Sequence, residues 1–284
     1  MATQKSKFGS FLGSSTLQLL LILWAFMQII PVLWQVISSF KTTREIIVDL
    51  FALPKSFYLG NYDFTYFSEI GIKIGVYFRN SMLITLFSLA ILIIVSYLAA
   101  YAIAKIRFRG KNIVVFVLIA LIGVPIHALV VPLYYLISDM GLINRYLGLI
   151  LPYASFFFPF TTLLLQSFFR EFPDELIEAA KIDGCNNFQA FSKIVLPISM
   201  GAISTVFIIN FIQMWNEFLL AYVIMKSNDS RTLPVGIVQY QGNYITEWGP
   251  LYATLVIAII PTILVYLIFH RNIIKGVTAG AIKG

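Results

Sequence analysis

The sequence predicts an all-α, polytopic membrane protein with six transmembrane helices. Hydrophobic residues make up 59% of its 284 positions and charged residues only 12%, whereas soluble domains carry about 25% charged residues. The apolar residues gather in long stretches near residues 17–38, 81–103, 113–137, 147–169, 198–225 and 251–269. Each stretch reaches the roughly 20 residues that a helix needs to cross the hydrocarbon core. We therefore expect one membrane domain over residues 1–284, since no repeat or low-complexity linker divides the chain.

The first stretch begins like a signal peptide, because Lys5 and Lys7 precede it. It is longer than the apolar region of a signal peptide, which has about 7–15 residues. Residues 35–39 also lack a convincing small-residue cleavage site. We therefore expect the first helix to be retained.

The basic residues of the loops predict which side of the membrane each loop faces. Residues 105–111 contain four basic residues and no acidic residue, which is the strongest cytoplasmic signal in the chain. Counting spans from this loop places both termini and residues 170–197 in the cytoplasm. The segment 41–79 opposes this orientation, but the shorter loops agree with one another and decide it. Its basic residues are Lys41, Arg44, Lys55, Lys73 and Arg79.

Composition and motifs exclude several classes of function. The net charge of +7 does not indicate nucleic-acid binding, because the basic residues do not cluster and no soluble domain carries them. Cys185 is the single cysteine, so an internal disulfide is impossible. No segment matches the phosphate-binding pattern G-x-x-x-x-G-K-[ST], and no spacing of His, Cys or Asp indicates a metal or catalytic site. Any ATP chemistry must therefore come from a partner.

Residues 170–197, between the fourth and fifth stretches, predict a helix-turn-helix. Pro173 suits the first turn of a helix, and Asp174 and Glu175 stabilise its positive N-terminal end. Gly184 can adopt the left-handed conformation that closes such a helix. The result is a short acidic helix with a defined end.

A second helix follows, which Asn186 or the next asparagine can cap. The spacing of Phe188, Phe191 and Val195 places three large apolar groups on one face. Pro197 is expected to end this helix before the fifth stretch.

The first of these helices has the chemistry of a docking surface. Ala179 and Ala180 allow another surface to approach closely, and Glu178 offers a carboxylate that can accept hydrogen bonds across the contact. An amphipathic connector lying on the membrane would explain any one of these residues equally well. The full spacing distinguishes the two interpretations.

From Glu178 to Pro197 the segment reads E-A-A, three residues, G, nine residues and I-x-L-P. This spacing closely resembles the signature loop of the membrane subunits of binding-protein-dependent ABC importers. Further motifs make nearly the whole chain similar to the second permease subunit of maltose-type carbohydrate importers. They are Ser38-Ser39-Phe40-Lys41, Asn61-Tyr62, Trp215-Asn216-Glu217-Phe218 and the terminal residues 276–284. Gly201 departs from the pattern, since many relatives have proline there.

The resemblance implies a transport subunit, not an enzyme, in the cytoplasmic membrane of a bacterium or archaeon. Its implied partners are a homologous second permease subunit, two cytoplasmic ATPase subunits that bind Mg-ATP, and an extracellular solute-binding protein. That protein would deliver a sugar or oligosaccharide. No cofactor is expected in this chain, and nucleic acid is not a partner. Closure of the ATPases would swing the docking helices and convert an inward-facing cavity to an outward-facing one.

The resemblance also implies roles for individual residues. Those implied in ATPase coupling are Glu178, Ala179, Ala180, Asp183, Gly184, Leu196 and Pro197. A tail at the ATPase interface would comprise Val277, Thr278, Ala279, Gly280, Ala281, Ile282, Lys283 and Gly284. Its glycines make this tail too flexible for a seventh span, and a disordered terminus is the alternative.

The fifth stretch contains a stripe of polar residues. Glu217 is the only acidic residue within an apolar stretch, and a carboxylate at the bilayer centre costs about 2.5–3.5 kcal/mol. Glu217 should therefore face protein or water. Asn210, Gln213 and Asn216 lie around it at helical spacing, beside Trp215. Amides and an aromatic ring suit a sugar path, and they equally suit hydrogen bonds between helices.

Residues 226–250 join the fifth and sixth stretches on the predicted outer side. In the resembled family this loop enters the cleft of the binding protein. The candidate contacts are therefore Tyr240, Gln241, Asn243 and Tyr244. A solvated turn is the alternative, because glycine and asparagine also favour turns.

A stand-alone transporter driven by an ion gradient is the rival class of function. Such a protein usually needs ionisable residues or broken helices inside the membrane. Glu217 is the one residue that meets this requirement. An ion-coupled transporter would also leave the helix-turn-helix of residues 170–197 without a function.

Overall fold

The structure, a computed structural model, describes residues 3–63, 72–240 and 247–281. All regular elements in these ranges are helical, which confirms the predicted all-α class. The α-helices are α1 Thr3–Ser38, α2 Thr43–Val48, α3 Ile74–Lys105, α4 Lys111–Ile122, α5 Ile126–Asp139, α6 Leu147–Glu171, α7 Asp174–Ile182, α8 Asn187–Ala190, α9 Met200–Trp215, α10 Leu219–Ile224, α11 Leu233–Ile237 and α12 Trp248–Ala281. A π-helical turn, Phe191–Val195, and a helical turn, Leu196–Ile198, continue α8. Two 3-10 turns lie at Leu59–Tyr62 and Val238–Tyr240.

The helices provide up to 6 membrane spans within the described residues. Four helices are long and apolar enough to cross alone: Leu17–Ser38, Ile74–Lys105, Leu147–Glu171 and Trp248–Phe269. Two further pairs are bent, by 99° between α4 and α5 and by 64° between Phe188–Ile198 and Met200–Trp215. The bent pair α4–α5 corresponds to the third predicted stretch, whereas the second bent pair covers residues 188–215 and only part of the fifth, 198–225.

Two of the predicted stretches are not continuous helices. In the third, Pro125 precedes α5, and proline both lacks an N–H and disfavours a helical conformation at the residue before it. In the fifth, α9 ends at Trp215 and the chain turns before α10 begins at Leu219. Pro197 does not end the helix that contains it, because the bend lies at Ser199.

The chain forms two compact units: Met1–Phe64 with Tyr240–Ile257, and Thr65–Gln239 with Ala258–Gly284. In the larger unit, α3 packs along α6. Near one end of α3 the buried core contains Tyr97, Leu165, Phe169 and Val206. Edge-to-face ring pairs join Tyr97 and Phe169 at 5.1 Å between centroids, which fixes the relative position of the two helices.

The other end of α3 holds the loop before α11. The Asn80 amide donates to the carbonyl oxygens of Asp229 and Arg231, each at 2.9 Å. Lys73 forms an ion pair with Asp229 at 2.7 Å, and this hydrogen bond raises the pKa of Lys73. Because α3 has 32 residues, its two ends lie about 48 Å apart.

In the smaller unit, two motifs that carried the family resemblance contact each other. The Asn61 amide donates to the carbonyl oxygens of Ser39 at 2.8 Å and Lys41 at 2.7 Å. The Tyr62 hydroxyl donates to Ser39 Oγ at 2.7 Å. Asn61 thus satisfies two backbone carbonyl groups that follow α1, and Tyr62 bonds the hydroxyl of Ser39. The two motifs therefore depend on each other for their hydrogen bonds.

Two glycines provide a matched test of packing in the larger unit. A Cβ on Gly148 would overlap the backbone oxygen of Leu142, whereas a Cβ on Gly201 would meet nothing within 4 Å. We expect Gly148→Ala to destabilise the protein by about 1–3 kcal/mol through overpacking. Gly201→Ala should be neutral or stabilising by up to about 1 kcal/mol, since it lies inside a helix. Thermal unfolding in detergent measures both, and equal melting temperatures would contradict the predicted packing.

Candidate functional site

The helix α7, called the docking helix below, begins and ends as its sequence indicates. Pro173 is its N-cap, and Asp174 and Glu175 lie in its first turn. Gly184 has φ +85°, in the left-handed region. Cys185 N donates to Ala180 O at 2.9 Å and Gly184 N donates to Lys181 O at 3.1 Å. This pair of bonds is the Schellman arrangement, so the predicted glycine cap is present.

The second helix starts with a reciprocal cap at Asn186. Asn186 Oδ1 accepts from Gln189 N at 2.8 Å, and Gln189 Oε1 accepts from Asn186 N at 3.0 Å. The predicted apolar face is wrong in one residue, since Phe188 is 75% exposed while Val195 is buried. The π-helical turn between them explains the difference, because its i→i+5 bonds add a residue per turn and rotate Phe188 away from the buried face.

Lys105, at the end of α3, fastens the start of the docking helix. Its Nζ donates to Phe172 O at 2.6 Å and to Asp174 Oδ1 at 2.5 Å. The basic segment 105–111 and the docking helix therefore lie at the same end of the larger unit. Ala180 is buried, and Ile177 packs against the core that includes Tyr97.

The opposite face of the docking helix is exposed. Glu178, Ala179, Asp183 and Gly184 are all accessible. Ile182 is 86% exposed and belongs to the same surface as these residues, although its apolar side chain was not among the predicted site residues. Ile182 lies in the three-residue interval between Ala180 and Gly184, and this position in the motif could have identified it as a site residue. An acidic group flanked by exposed apolar side chains is typical of a protein contact.

The remaining predicted coupling residues differ in exposure. Leu196 is partly buried and packs against the core beside the docking helix. Pro197 is exposed. Leu196 therefore holds the second helix in place, whereas Pro197 is available to a partner.

Gly184 allows a test of the helix end. Valine at φ +85° should strain the turn by about 1–2 kcal/mol. Asparagine, which tolerates the left-handed region, is the matched control. We expect Gly184→Val to speed trypsin cleavage at the exposed Lys181, and Gly184→Asn to leave it near the wild-type rate. Identical cleavage of the two variants would argue against a constrained turn.

The polar stripe of the fifth stretch is divided between buried and exposed residues. Asn210 is fully buried and its amide donates to Thr161 Oγ1 at 3.0 Å, which joins α9 to α6. Trp215 is buried and its Nε1 donates to Ala258 O at 2.9 Å. Gln213 and Asn216 are exposed. Asn210 and Trp215 therefore connect helices, whereas Gln213 and Asn216 are accessible, with the Asn216 amide donating to Ile212 O at 2.8 Å.

Glu217 links two helices through its carboxylate. Its Oε1 accepts from Leu220 N at 2.7 Å and its Oε2 accepts from Ala221 N at 3.1 Å, which caps α10. The hydroxyl of Tyr153 in α6 donates to the same Oε2 at 2.6 Å. The structure thus gives Glu217 a bond to a neighbouring helix, one of the two interpretations left open by the sequence.

Residues 277–281 of the predicted tail are helical, because α12 continues to Ala281. Each glycine in a helix costs about 1 kcal/mol relative to alanine, which is not enough to end this long helix. Ile282, Lys283 and Gly284 lie outside the described residues.

The candidate binding-protein contacts are only partly described. Gln241, Asn243 and Tyr244 lie outside the described residues. Tyr240 is buried, and its hydroxyl accepts a hydrogen bond from Thr254 Oγ1 at 2.9 Å. Its ring therefore packs inside the smaller unit and is not an exposed contact in this structure.

In the part of the chain that the structure describes, the fold is that of a multi-pass helical membrane protein whose docking helix is closed by a glycine and exposes one face. Residues 93–279 match the family model described as "Binding-protein-dependent transport system inner membrane component". The chain belongs to this family, whose members are transport permeases of the cytoplasmic membrane.

Curated relatives match nearly the full chain. The diacetylchitobiose uptake system permease protein NgcG of Streptomyces coelicolor is 35% identical over 266 residues, covering 93% of this chain and 87% of that protein. The trehalose/maltose transport system permease protein MalG of Thermococcus litoralis is 33% identical, covering 93% and 94%. The sulfoquinovosyl glycerol transport system permease protein SmoH of Agrobacterium fabrum is 36% identical, covering 89% and 88%.

A solved structure shares the fold. It is that of a bacterial ABC transporter involved in the import of the acidic polysaccharide alginate. The TM-score is 0.74 over 89% of this chain and 94% of that chain, at 22% sequence identity.

Proposed function

We propose that this chain forms half of the translocation path of an ATP-driven, binding-protein-dependent importer of sugars or oligosaccharides. The observation that carries the proposal is the exposed face of the docking helix around Glu178, whose first turn is hydrogen-bonded to Lys105 at the end of α3. Two ATPase subunits that bind Mg-ATP would contact this face and the equivalent face of a homologous second permease subunit. A solute-binding protein would deliver the sugar from outside.

Two groups of residues that share one end of the larger unit support the orientation that we propose. The basic segment 105–111 favours the cytoplasm, and the Lys105–Asp174 ion pair at 2.5 Å brings the docking helix to the same end. Both termini are then cytoplasmic if the chain crosses the membrane six times. Lys73, which opposed this orientation in the sequence, has its charge balanced by Asp229 at the other end of α3.

The relatives support a carbohydrate as the transported solute, since their names refer to diacetylchitobiose, trehalose and maltose, and sulfoquinovosyl glycerol. Within this chain, Gln213 and Asn216 are the exposed amides near the end of α9. Amide groups can donate and accept hydrogen bonds at once, which suits the hydroxyls of a sugar.

Coupling requires that motion of the docking helix reach the spans. The docking helix is fastened at its start by Lys105, and its buried face packs on the core containing Tyr97 and Phe169. Tyr97 also shares a hydrogen bond of 2.6 Å with Ser199, the residue at the 64° bend before α9. Closure of the ATPases would therefore move the docking helix, α3 and the base of α9 together, opening the path alternately to each side.

Vanadate inhibition tests the proposal. Membranes containing the complete complex, with its binding protein, should lose sugar uptake when vanadate traps the partner ATPases. Dissipating the ion gradients with an ionophore at constant ATP should leave uptake near its initial rate. The opposite pattern, resistance to vanadate with sensitivity to the ionophore, would establish the rival ion-coupled transporter.

The end of α12 is proposed to reach the ATPase interface. Deleting residues 277–284 removes the last turn of the helix and the residues that follow it, and it should lower sugar-stimulated ATP hydrolysis more than it lowers the amount of protein in the membrane. The control replaces Val277 with alanine, which keeps the helix. Wild-type stimulation in the truncated complex would show that the tail is dispensable.

A further inference from the structure

The segment after α1 surrounds a cavity of about 430 Å³ in the smaller unit. Three of the residues that line it are cations: Lys41, Arg44 and Lys55. Two are carboxylates, Glu45 and Asp49. The proposed transport function does not use any of these residues.

Lys41 lines this cavity and is nearly fully buried. Its side chain is only 1% exposed, and its Nζ donates to the carbonyl oxygens of Asp49 at 3.3 Å and Leu50 at 3.0 Å. Ion pairs within 4.0 Å in the described residues do not include Lys41, Arg44 or Lys55. A buried cation is costly without a counter-charge, so this arrangement favours an anion in the cavity.

Both carboxylates of the cavity are already engaged by the backbone. Glu45 Oε2 accepts from Thr42 N at 2.9 Å, and this backbone bond lowers the pKa of Glu45. Asp49 Oδ1 accepts from Phe51 N at 2.9 Å and Ala52 N at 3.1 Å. Their hydrogen bonds go mainly to the backbone, and Lys55 also lowers the pKa of Glu45 through its backbone N–H and its charge. Arg44 and Lys55 line the cavity and are exposed.

The position of the cavity matches the depth of lipid headgroups. The apolar part of α1 ends at Ser38, three residues before Lys41. Lys41 Nζ lies 5.3 Å from the centre of the Trp34 ring, and tryptophan concentrates at the membrane–water interface. The cavity is therefore next to the end of an apolar helix, where we expect the phosphate layer of the membrane.

The chain around the cavity also exposes large apolar side chains. Val48, Phe51, Leu53 and Phe57 are between 72% and 77% exposed. Apolar groups of this size next to basic residues are typical of segments that lie in the membrane interface. In water such a surface would be unfavourable, whereas acyl chains would cover it.

We propose that this cavity binds the phosphate headgroup of an anionic phospholipid, with the exposed apolar residues seated among its acyl chains. Lys41 would supply the buried counter-charge, and Arg44 and Lys55 would close around the phosphate from the mouth. The lipid site depends on the proposed function only for the leaflet that it faces, which is the outer leaflet in the proposed orientation of the chain. Segment 41–79 has five basic residues, which oppose the predicted orientation of the chain. Three of them thus have a role in the lipid site.

The test uses the full-length chain in detergent, titrated with phosphatidylglycerol and monitored by native mass spectrometry. Arg44→Gln with Lys55→Gln should weaken phosphatidylglycerol binding by about tenfold or more, since each basic residue near an anionic lipid adds to the attraction. The matched control, Arg79→Gln with Arg145→Gln, removes two exposed cations that do not line the cavity and should leave binding within about twofold of wild type. Equal weakening in both double variants, or none in either, would overturn the proposal.

Two further arms identify the ligand. Val48→Ser with Phe51→Ser should weaken phosphatidylglycerol but not soluble glycerophosphoglycerol, because only the lipid has acyl chains to cover these residues. Tighter binding of the soluble phosphate than of the lipid would overturn the lipid assignment. If the Arg44–Lys55 variant retains lipid but loses stimulation by the binding protein, the surface is a protein contact and the proposal is wrong. Lipid binding is measured without ATP or sugar, so a failure of the transport proposal would leave this result unaffected.

Discussion

Replacing Glu178 with lysine should abolish sugar uptake while the chain remains folded and inserted. Glu178 is exposed, so the reversed charge costs this chain little on its own. At a partly buried contact with a partner, however, charge reversal can cost several kcal/mol. We expect the ATPase subunits to co-purify with the variant at a small fraction of the wild-type yield, and uptake to fall with them.

Glu171→Lys is the matched control for this experiment. Glu171 is also exposed and carries the same charge, but it ends α6 outside the docking helix. It should retain most ATPase binding and uptake. Normal ATPase recovery and undiminished uptake in Glu178→Lys would remove the basis for the docking assignment.

Features set by neighbouring residues were predictable from the sequence. The cap at Gly184, the acidic first turn of the docking helix and the start of the second helix at Asn186 depend on residues within a few positions. The apolar spans are predictable for the same reason, since length and composition decide them. The caps and the four unbroken spans match the structure.

The bends were not predictable, because proline does not determine them alone. Pro125 precedes the 99° bend between α4 and α5. Pro152 and Pro159 instead lie inside the continuous helix α6, where both are buried. The packing around each proline, which involves distant segments, decides whether the helix breaks.

The roles of the polar stripe also depend on distant residues. Helical spacing correctly groups Asn210, Gln213 and Asn216 as neighbours, but spacing does not say which of them the remaining helices cover. The partner of Glu217 is Tyr153, which is 64 positions away in the chain. Periodicity predicts a shared face, whereas burial is a property of the assembled bundle.

Replacing Glu217 with alanine should destabilise the protein strongly and reduce uptake through loss of folded complex. The substitution removes the cap of α10, worth about 1 kcal/mol. It also leaves the hydroxyl of Tyr153, a residue only 1% exposed, without its acceptor, at a cost of about 1–3 kcal/mol. The expected total is about 2–4 kcal/mol, measurable as a lower melting temperature in detergent.

Glu217→Gln and Tyr153→Phe separate this structural role from ion coupling. Glutamine keeps one acceptor oxygen in the same place, and Tyr153→Phe removes the donor while the carboxylate still caps α10. Both should therefore lose less stability than Glu217→Ala, and uptake per folded complex should stay near the wild-type value in each. If Glu217→Gln instead abolishes uptake with an unchanged melting temperature, the negative charge itself takes part in transport. That outcome would indicate that Glu217 couples transport to an ion, as in the rival class of transporter. A residue that only caps a helix and accepts a hydrogen bond does not need a charge.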